Sequence, residues 1–307
     1  MRRRTTGTAD GLLLVDKPAG VSSHDVVSAA RRALNEKRIG HGGTLDPFAT
    51  GLLVILVGRA TRLLPHLPGE PKVYEATIRF GAETDTEDLL GTVVREAPIP
   101  TRGALLAALP ALTGSIQQVP PAYSAKRVGG RRAYEFARAG ESVELRPASI
   151  RVDRWEVLDL RDDRGSTIAA AAGTDVPVRE AIVRIHCGRG TYVRSLARDL
   201  ARLVGSAAHL VALRRTGSGP FNVEDALTIA DLREGRASLR PALAALPGVA
   251  VQGLTDEEVT RIVRGIDVAA SVDGEWGALV NPGNGVLVAL AERREDRWQP
   301  RVVMREA

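Results

Sequence analysis

The chain has 307 residues, 44% hydrophobic and 26% charged, a composition that fits one large globular domain or a large and a small one and excludes a disordered chain. No apolar run approaches the roughly 20 residues of a membrane-spanning helix. No apolar signal-peptide core follows the basic Met1-Arg2-Arg3-Arg4, so a cytoplasmic protein is expected. Cys187 is the single cysteine, which excludes an internal disulfide and a cysteine-built zinc cluster. The net charge is +5, but residues 249–307 hold seven Arg against ten Asp and Glu, net −3, leaving +8 on the first 248. A polyanion is therefore expected to meet the first 248 residues. Only four of the 42 basic residues are Lys, a bias that reads as proteome composition rather than selection for bidentate phosphate contacts.

Residues 1–10 are polar and expected to form a disordered tail. A strand is expected over 11–16, ending in the turn Lys17-Pro18-Ala19-Gly20. Ser22 and Asp25 read as a capping box, followed by Val26, Val27, Ala30 and Leu34 at helical spacing to Asn35. A glycine-rich loop comes next, then the apolar run 52–57, a buried strand. Residues 72–80 alternate, with Tyr74, Ala76, Ile78 and Phe80 on one face. An acidic turn segment spans 81–91, and a short helix around Leu105, Leu106 and Leu109 is expected to stop at Pro110. Strand patterns recur at 150–160 and 181–187, and a helix from Tyr192 carries Val193, Leu196, Ala197, Leu200, Leu203 and Val204 on one stripe. Strands come in runs, so the expected class is α+β, a mixed or antiparallel sheet flanked by helices. The character changes near Leu246-Pro247-Gly248, where a helical segment over 254–263 precedes β-like stretches at 276–280, 285–291 and 298–303. Residues 11–248 are thus expected to be the main domain and 249–307 a small β-rich one.

The most informative stretch is Gly40-His41-Gly42-Gly43-Thr44-Leu45-Asp46-Pro47-Phe48-Ala49-Thr50-Gly51. It holds a carboxylate at the lip of a buried strand, on a loop crowded with Gly, Thr and Pro, which suits a reacting group. By itself an Asp before Pro more often caps a turn. Acting chemically, Asp46 would be a nucleophile or acid/base at an anomeric carbon. Tyr74 heads the buried face of its strand. Arg194, in Cys187-Gly188-Arg189-Gly190-Thr191-Tyr192-Val193-Arg194, lies off the apolar stripe in a helix first turn, where a cation needs a specific partner. Gln118 to Lys126 runs into Arg127, Arg131, Arg132 and Arg138, interleaved with Tyr134 and Phe136. That pattern fits RNA contact or, equally, a solvated helix face with two core aromatics. His24, His66, His186 and His209 have no metal-ligand spacing, so no metal is expected.

These words, in order from Gly11 to Arg215, closely resemble the pseudouridine synthases of the TruB family. Gly42 is a departure, standing where the family often has Thr. The resemblance implies that Asp46 is the essential carboxylate, ion-paired with Arg194, and that Tyr74 stacks on the target uracil and assists at C5. It places His41 against a flipped nucleotide and puts Tyr192 and Leu213 in the uracil pocket. It makes residues of about 120–148 an RNA-binding insertion, with Lys126, Arg127, Arg131 and Arg132 as backbone contacts, and the C-terminal part a PUA-like domain. The implied activity is isomerisation of uridine to pseudouridine in the T-loop of tRNA, at position 55. That reaction involves no redox change and no hydrolysis, so no cofactor is expected; a monomer is expected, though nothing in the sequence reads on oligomeric state. Whether Asp46 adds covalently to the sugar or acts on it as a base stays open. An RNA-binding or tRNA-folding protein, and a nucleosidase, are the alternatives; the latter would want a second carboxylate.

Overall fold

The computed structural model describes residues 10–124, 126–128, 130–139, 141 and 144–304. The expected tail therefore lies outside the described residues except for Asp10, whose carboxylate accepts from Arg59 Nε at 2.6 Å. In chain order the strands begin β1 (Gly11–Lys17), β2 (Ile39–His41), β3 (Thr50–Val57), β4 (Lys72–Phe80), β5 (Ala82–Thr84) and β6 (Val93–Glu96). They continue with β7 (Gly114–Gln118), β8 (Arg127–Val128), β9 (Arg131–Arg132), β10 (Ala148–Arg161), β11 (Glu180–Cys187) and β12 (Ala208–Ser218). The last are β13 (Phe221–Asn222), β14 (Leu227–Thr228), β15 (Ala250–Gly253), β16 (Val268–Ala269), β17 (Trp276–Val280), β18 (Leu287–Arg294) and β19 (Arg297–Val303). The helices are α1 (Ser23–Leu34), α2 (Arg102–Ala108), α3 (Ala133–Arg138), α4 (Val193–Leu203), α5 (Ile229–Arg233) and α6 (Asp256–Val263). No described helix is long and apolar enough to cross a membrane.

Two compact units form. The first takes the chain up to Pro47, Gly51–Gly69 and everything from Pro220. In it β1 lies antiparallel to β3 and parallel to β14, and β2 pairs β3. Both faces of β1 and β3 are buried, which is why their sequences are continuous apolar runs. Leu13, Val15, Leu53, Ile55 and Val57 pack against Val26, Val27 and Ala30 of α1 and Ile229 and Leu232 of α5. The alternate residues Leu12, Leu14, Leu52, Val54 and Leu56 share a core with Ala278, Val280, Leu287, Leu290 and Val302 of the C-terminal sheet. That sheet, ordered β15-β17-β18-β19-β16, is covered on its far face by α6 through Val259 and Ile262.

The second unit takes Phe48–Thr50 and Glu70–Gly219. Its antiparallel sheet runs β12-β4-β11-β10-β7, with α4 packed on β4 and β12. As the alternation predicts, Tyr74, Ala76, Ile78 and Phe80 are buried. On the opposite face a row of alternating charge crosses the strands, Arg214 beside Glu75, Glu75 beside Arg184, and Arg184 beside Glu156. Arg184 meets Glu75 at 2.7 Å and Glu156 at 3.1 Å.

Two local expectations need correction, and two strands of this sheet were not anticipated. β12, beside β4 in this sheet, was not expected, because bulges between Leu210 and Ala212 and between Arg215 and Gly217 break its two-residue period. β7 was likewise unanticipated. Pro110 does not end the helical run; it sits at the start of a 3-10 turn, Leu109–Leu112, where its missing N–H costs nothing. Leu203, assigned to the apolar stripe of α4, is 55% exposed, whereas Arg194, Ser195 and Arg198 are buried.

Candidate active site

Asp46 sits in the first unit, half-buried on the loop between β2 and β3. Its neighbours are fixed on both sides. The buried Ser23 hydroxyl accepts from Leu45 N–H at 2.9 Å and donates to Leu45 C=O at 3.1 Å. The Pro47 carbonyl accepts from Gly20 N–H at 2.9 Å and from Lys17 Nζ at 3.3 Å. Lys17 is fully buried at the end of β1, its ammonium also bonded to the carbonyls of Pro18 and Val21. A buried ammonium is costly unless it is hydrogen-bonded, so its three carbonyl partners hold the turn and the loop together. Before the loop, Gly42 donates to Val54 C=O at 2.8 Å, and a Cβ there would lie 2.8 Å from Leu67 Cδ1. The side chain the family often carries at this position would displace Leu67. Gly43 has φ +130°, which only glycine adopts readily. His41 ends β2 and is half-buried.

The remaining candidates lie in the second unit. Tyr74 is buried on β4, in register with Ile185 on one side and the fully buried Arg215 on the other. Leu213 on β12 is buried opposite Ala76, one row from Tyr74 on the same face. Tyr192 is the half-buried N-cap of α4, and its side chain makes no capping bond. Gln118 supplies the missing anchor. Its amide oxygen accepts from Tyr192 N–H at 2.9 Å and its amide nitrogen donates to Tyr192 C=O at 3.1 Å.

Arg194, only 3% exposed, turns its guanidinium into the protein. It donates to Thr86 C=O at 2.7 Å and Tyr123 C=O at 3.0 Å, and Asp88 lies 4.0 Å away. The segment read as an acidic turn thus buries Glu83, Glu87 and Asp88. They escaped the sequence reading, as did Ser23, Lys17 and Gln118. One signal was present: Glu83 and Glu87 are four apart, as are Arg194, Arg198 and Arg202.

The RNA-backbone candidates fall around α3. Lys126 is exposed. Arg131 stands 4.1 Å over the Phe136 ring and 3.6 Å from Glu141. The Arg127 and Arg132 side chains lie outside the described residues, while Tyr134 and Phe136 are half-buried. Cys187 is a buried thiol, as expected of a small apolar filler, and burial pushes it up to about 11.

The antiparallel sheet with α4 packed on it agrees with the fold that the resemblance implies. The model of the TruB family pseudouridylate synthase N-terminal domain matches residues 31–193, and that of the tRNA pseudouridylate synthase B C-terminal domain matches 194–245. The tRNA pseudouridine synthase B of Thermobifida fusca is 44% identical over 297 residues, covering 96% of this chain and 98% of that one. That of Mycobacterium tuberculosis is 42% identical over 311 residues, covering 98% of each. Among solved structures, the crystal structure of a Cbf5-Nop10-Gar1 complex superposes with a TM-score of 0.65 at 24% identity, over 96% of this chain and 85% of that one. The chain belongs to the TruB family of pseudouridylate synthases. It is an isomerase with the α+β fold expected of that family and a C-terminal β-sheet.

Proposed function

We propose that the protein is a tRNA pseudouridine synthase that isomerises the T-loop uridine at position 55, acting in the cytoplasm as a monomer. Support comes from the relatives, named tRNA pseudouridine synthase B, at 42–44% identity over nearly the whole chain. The observation that carries the mechanism is the Asp46 loop, whose carboxylate stands between two residues held by Ser23, Gly20 and Lys17. A reacting group fixed before substrate arrives loses little freedom in the transition state.

In the reaction the N1–C1′ bond of uridine breaks and a C5–C1′ bond forms; C5 loses a proton and N1 gains one. No electrons are exchanged with a cofactor and no water is consumed. Asp46 promotes breakage at C1′, and Arg194 orients that carboxylate. The target base leaves its stack at a cost of a few kcal/mol. Stacking on Tyr74, at about 1–3 kcal/mol per base, offsets much of it. His41, Tyr192 and Leu213 contact the flipped nucleotide, and Lys126, Arg127, Arg131 and Arg132 meet the RNA backbone. Excess positive charge on the first 248 residues is consistent with such a partner.

Tritium release from a tRNA transcript carrying 5-tritiated uridine tests this reading. Asp46→Asn should lower kcat by about 10²–10⁴-fold while tRNA affinity stays within a few-fold. Retained turnover in that variant refutes the role of Asp46. Release of free uracil would make the enzyme a nucleosidase, and turnover on a transcript lacking the target uridine would refute the position.

A further inference from the structure

Helix α4 carries Arg194, Arg198 and Arg202 four residues apart, so the three side chains share one face. The segment from Glu83 to Asp88 supplies an acid to each. Asp88 approaches Arg194, Glu87 pairs with Arg198, and Glu83 pairs with Arg202. The middle rung is unlike the others. Glu87 is 5% exposed, and besides Arg198 its carboxylate accepts from Ser195 Oγ at 2.8 Å. Its φ is +61°, a left-handed conformation that a side chain disfavours. Its backbone is bonded on both sides, donating to Thr84 C=O at 3.0 Å and accepting from Leu210 N–H at 3.1 Å. Burial raises the Glu87 carboxyl above its ordinary range, opposed by Arg198, Ser195 and Arg194. Strain and a buried charge at one residue are both unfavourable, and they persist where the surroundings over-determine the geometry.

What this geometry holds is Arg194. Its two backbone acceptors, Thr86 C=O and Tyr123 C=O, come from separate segments. Arg198 ties both segments to α4, one through Glu87 and the other through Val119 C=O at 2.8 Å. We propose that Glu87 is a positioning residue for Arg194: through Arg198 and Ser195 it anchors the turn at 86–88 to α4, so that the Thr86 carbonyl orients the guanidinium. This rests on the reading of Arg194 as a group that acts on the reacting centre's carboxylate.

The test measures kcat and KM for a tRNA transcript, with thermal melting, for four variants. Glu87→Gln should lower kcat at least tenfold with KM within twofold. Glu83→Gln also removes a buried acid from an α4 arginine but leaves the 86–88 turn tied; it should keep kcat within twofold whatever it does to the melting temperature. If Glu87→Gln cannot be recovered folded, the double variant Glu87→Gln with Arg198→Gln removes both charges, and the same tenfold loss is expected. Native kcat in the Glu87 variant, or an equal loss in Glu83→Gln, overturns the positioning role. Arg194→Lys separates the two readings. If it retains native kcat, the catalytic reading of Arg194 has failed; if it is inactive while Glu87→Gln turns over normally, only the positioning role has.

Discussion

A single hydroxyl holds both backbone polar groups of Leu45, the residue before Asp46. Ser23 lies 22 residues earlier in the chain, and its Oγ both receives from and donates to Leu45. Ser23→Ala would leave a buried N–H and C=O without those bonds, which costs about 1–3 kcal/mol. The variant should show that loss as a lower urea midpoint, and a lower kcat as the Asp46 loop loosens; a midpoint unchanged from native would refute the bond's contribution. Asp46 and His41 were legible as candidates, because a long ordered word of Gly, His, Thr, Asp and Pro occurs in one stretch. Ser23, Gln118 and Glu87 were not. Each is an ordinary residue in its own neighbourhood, and its meaning lies in a partner 22, 74 or about 110 residues away.

Helix starts depend on groups three residues apart, a scale that sequence can show, as it did for α1, although α5 was not anticipated. α1, α5 and α6 each open with a full capping box, Ser22 with Asp25, Thr228 with Asp231, and Thr255 with Glu258. In the second, hydrogen bonds from Thr228, with Arg236 adding, bring the Asp231 carboxyl down to about 2 from an ordinary 3.8. A carboxylate with a depressed folded value contributes stability above its unfolded value and loses it as pH falls through the folded one. The melting difference between native protein and Asp231→Asn should therefore be constant from pH 7 to 5, shrink below 4 and vanish near 2. A difference independent of pH would show that the carboxylate charge contributes nothing. β4 was legible from its unbroken alternation, and β12, bulged twice, was missed, although β10 was read despite bulges of its own.

At the scale of the whole molecule, the fold encloses reactive groups. Cys187 on β11 lies between Val152 of β10 and Lys72 of β4, fully buried, with its thiol at about 11. Because the thiolate is the reactive form, iodoacetamide at pH 8 should modify native protein only as fast as it unfolds, and denatured protein orders of magnitude faster. Comparable rates in the two states would refute that enclosure. The sequence alone determined what depends on neighbours along the chain: the α+β class, the alternation of β4, the capped start of α1, and the loop that carries Asp46. Tertiary structure alone decided that Lys17 is buried beneath that loop, that the acids of 83–88 face inward, and which carbonyls receive Arg194. The reason is physical. Propensity, capping and alternation act over a few residues, whereas burial and charge pairing arise between groups that meet only once the sheet and α4 have assembled, and those pairings leave no local period to read.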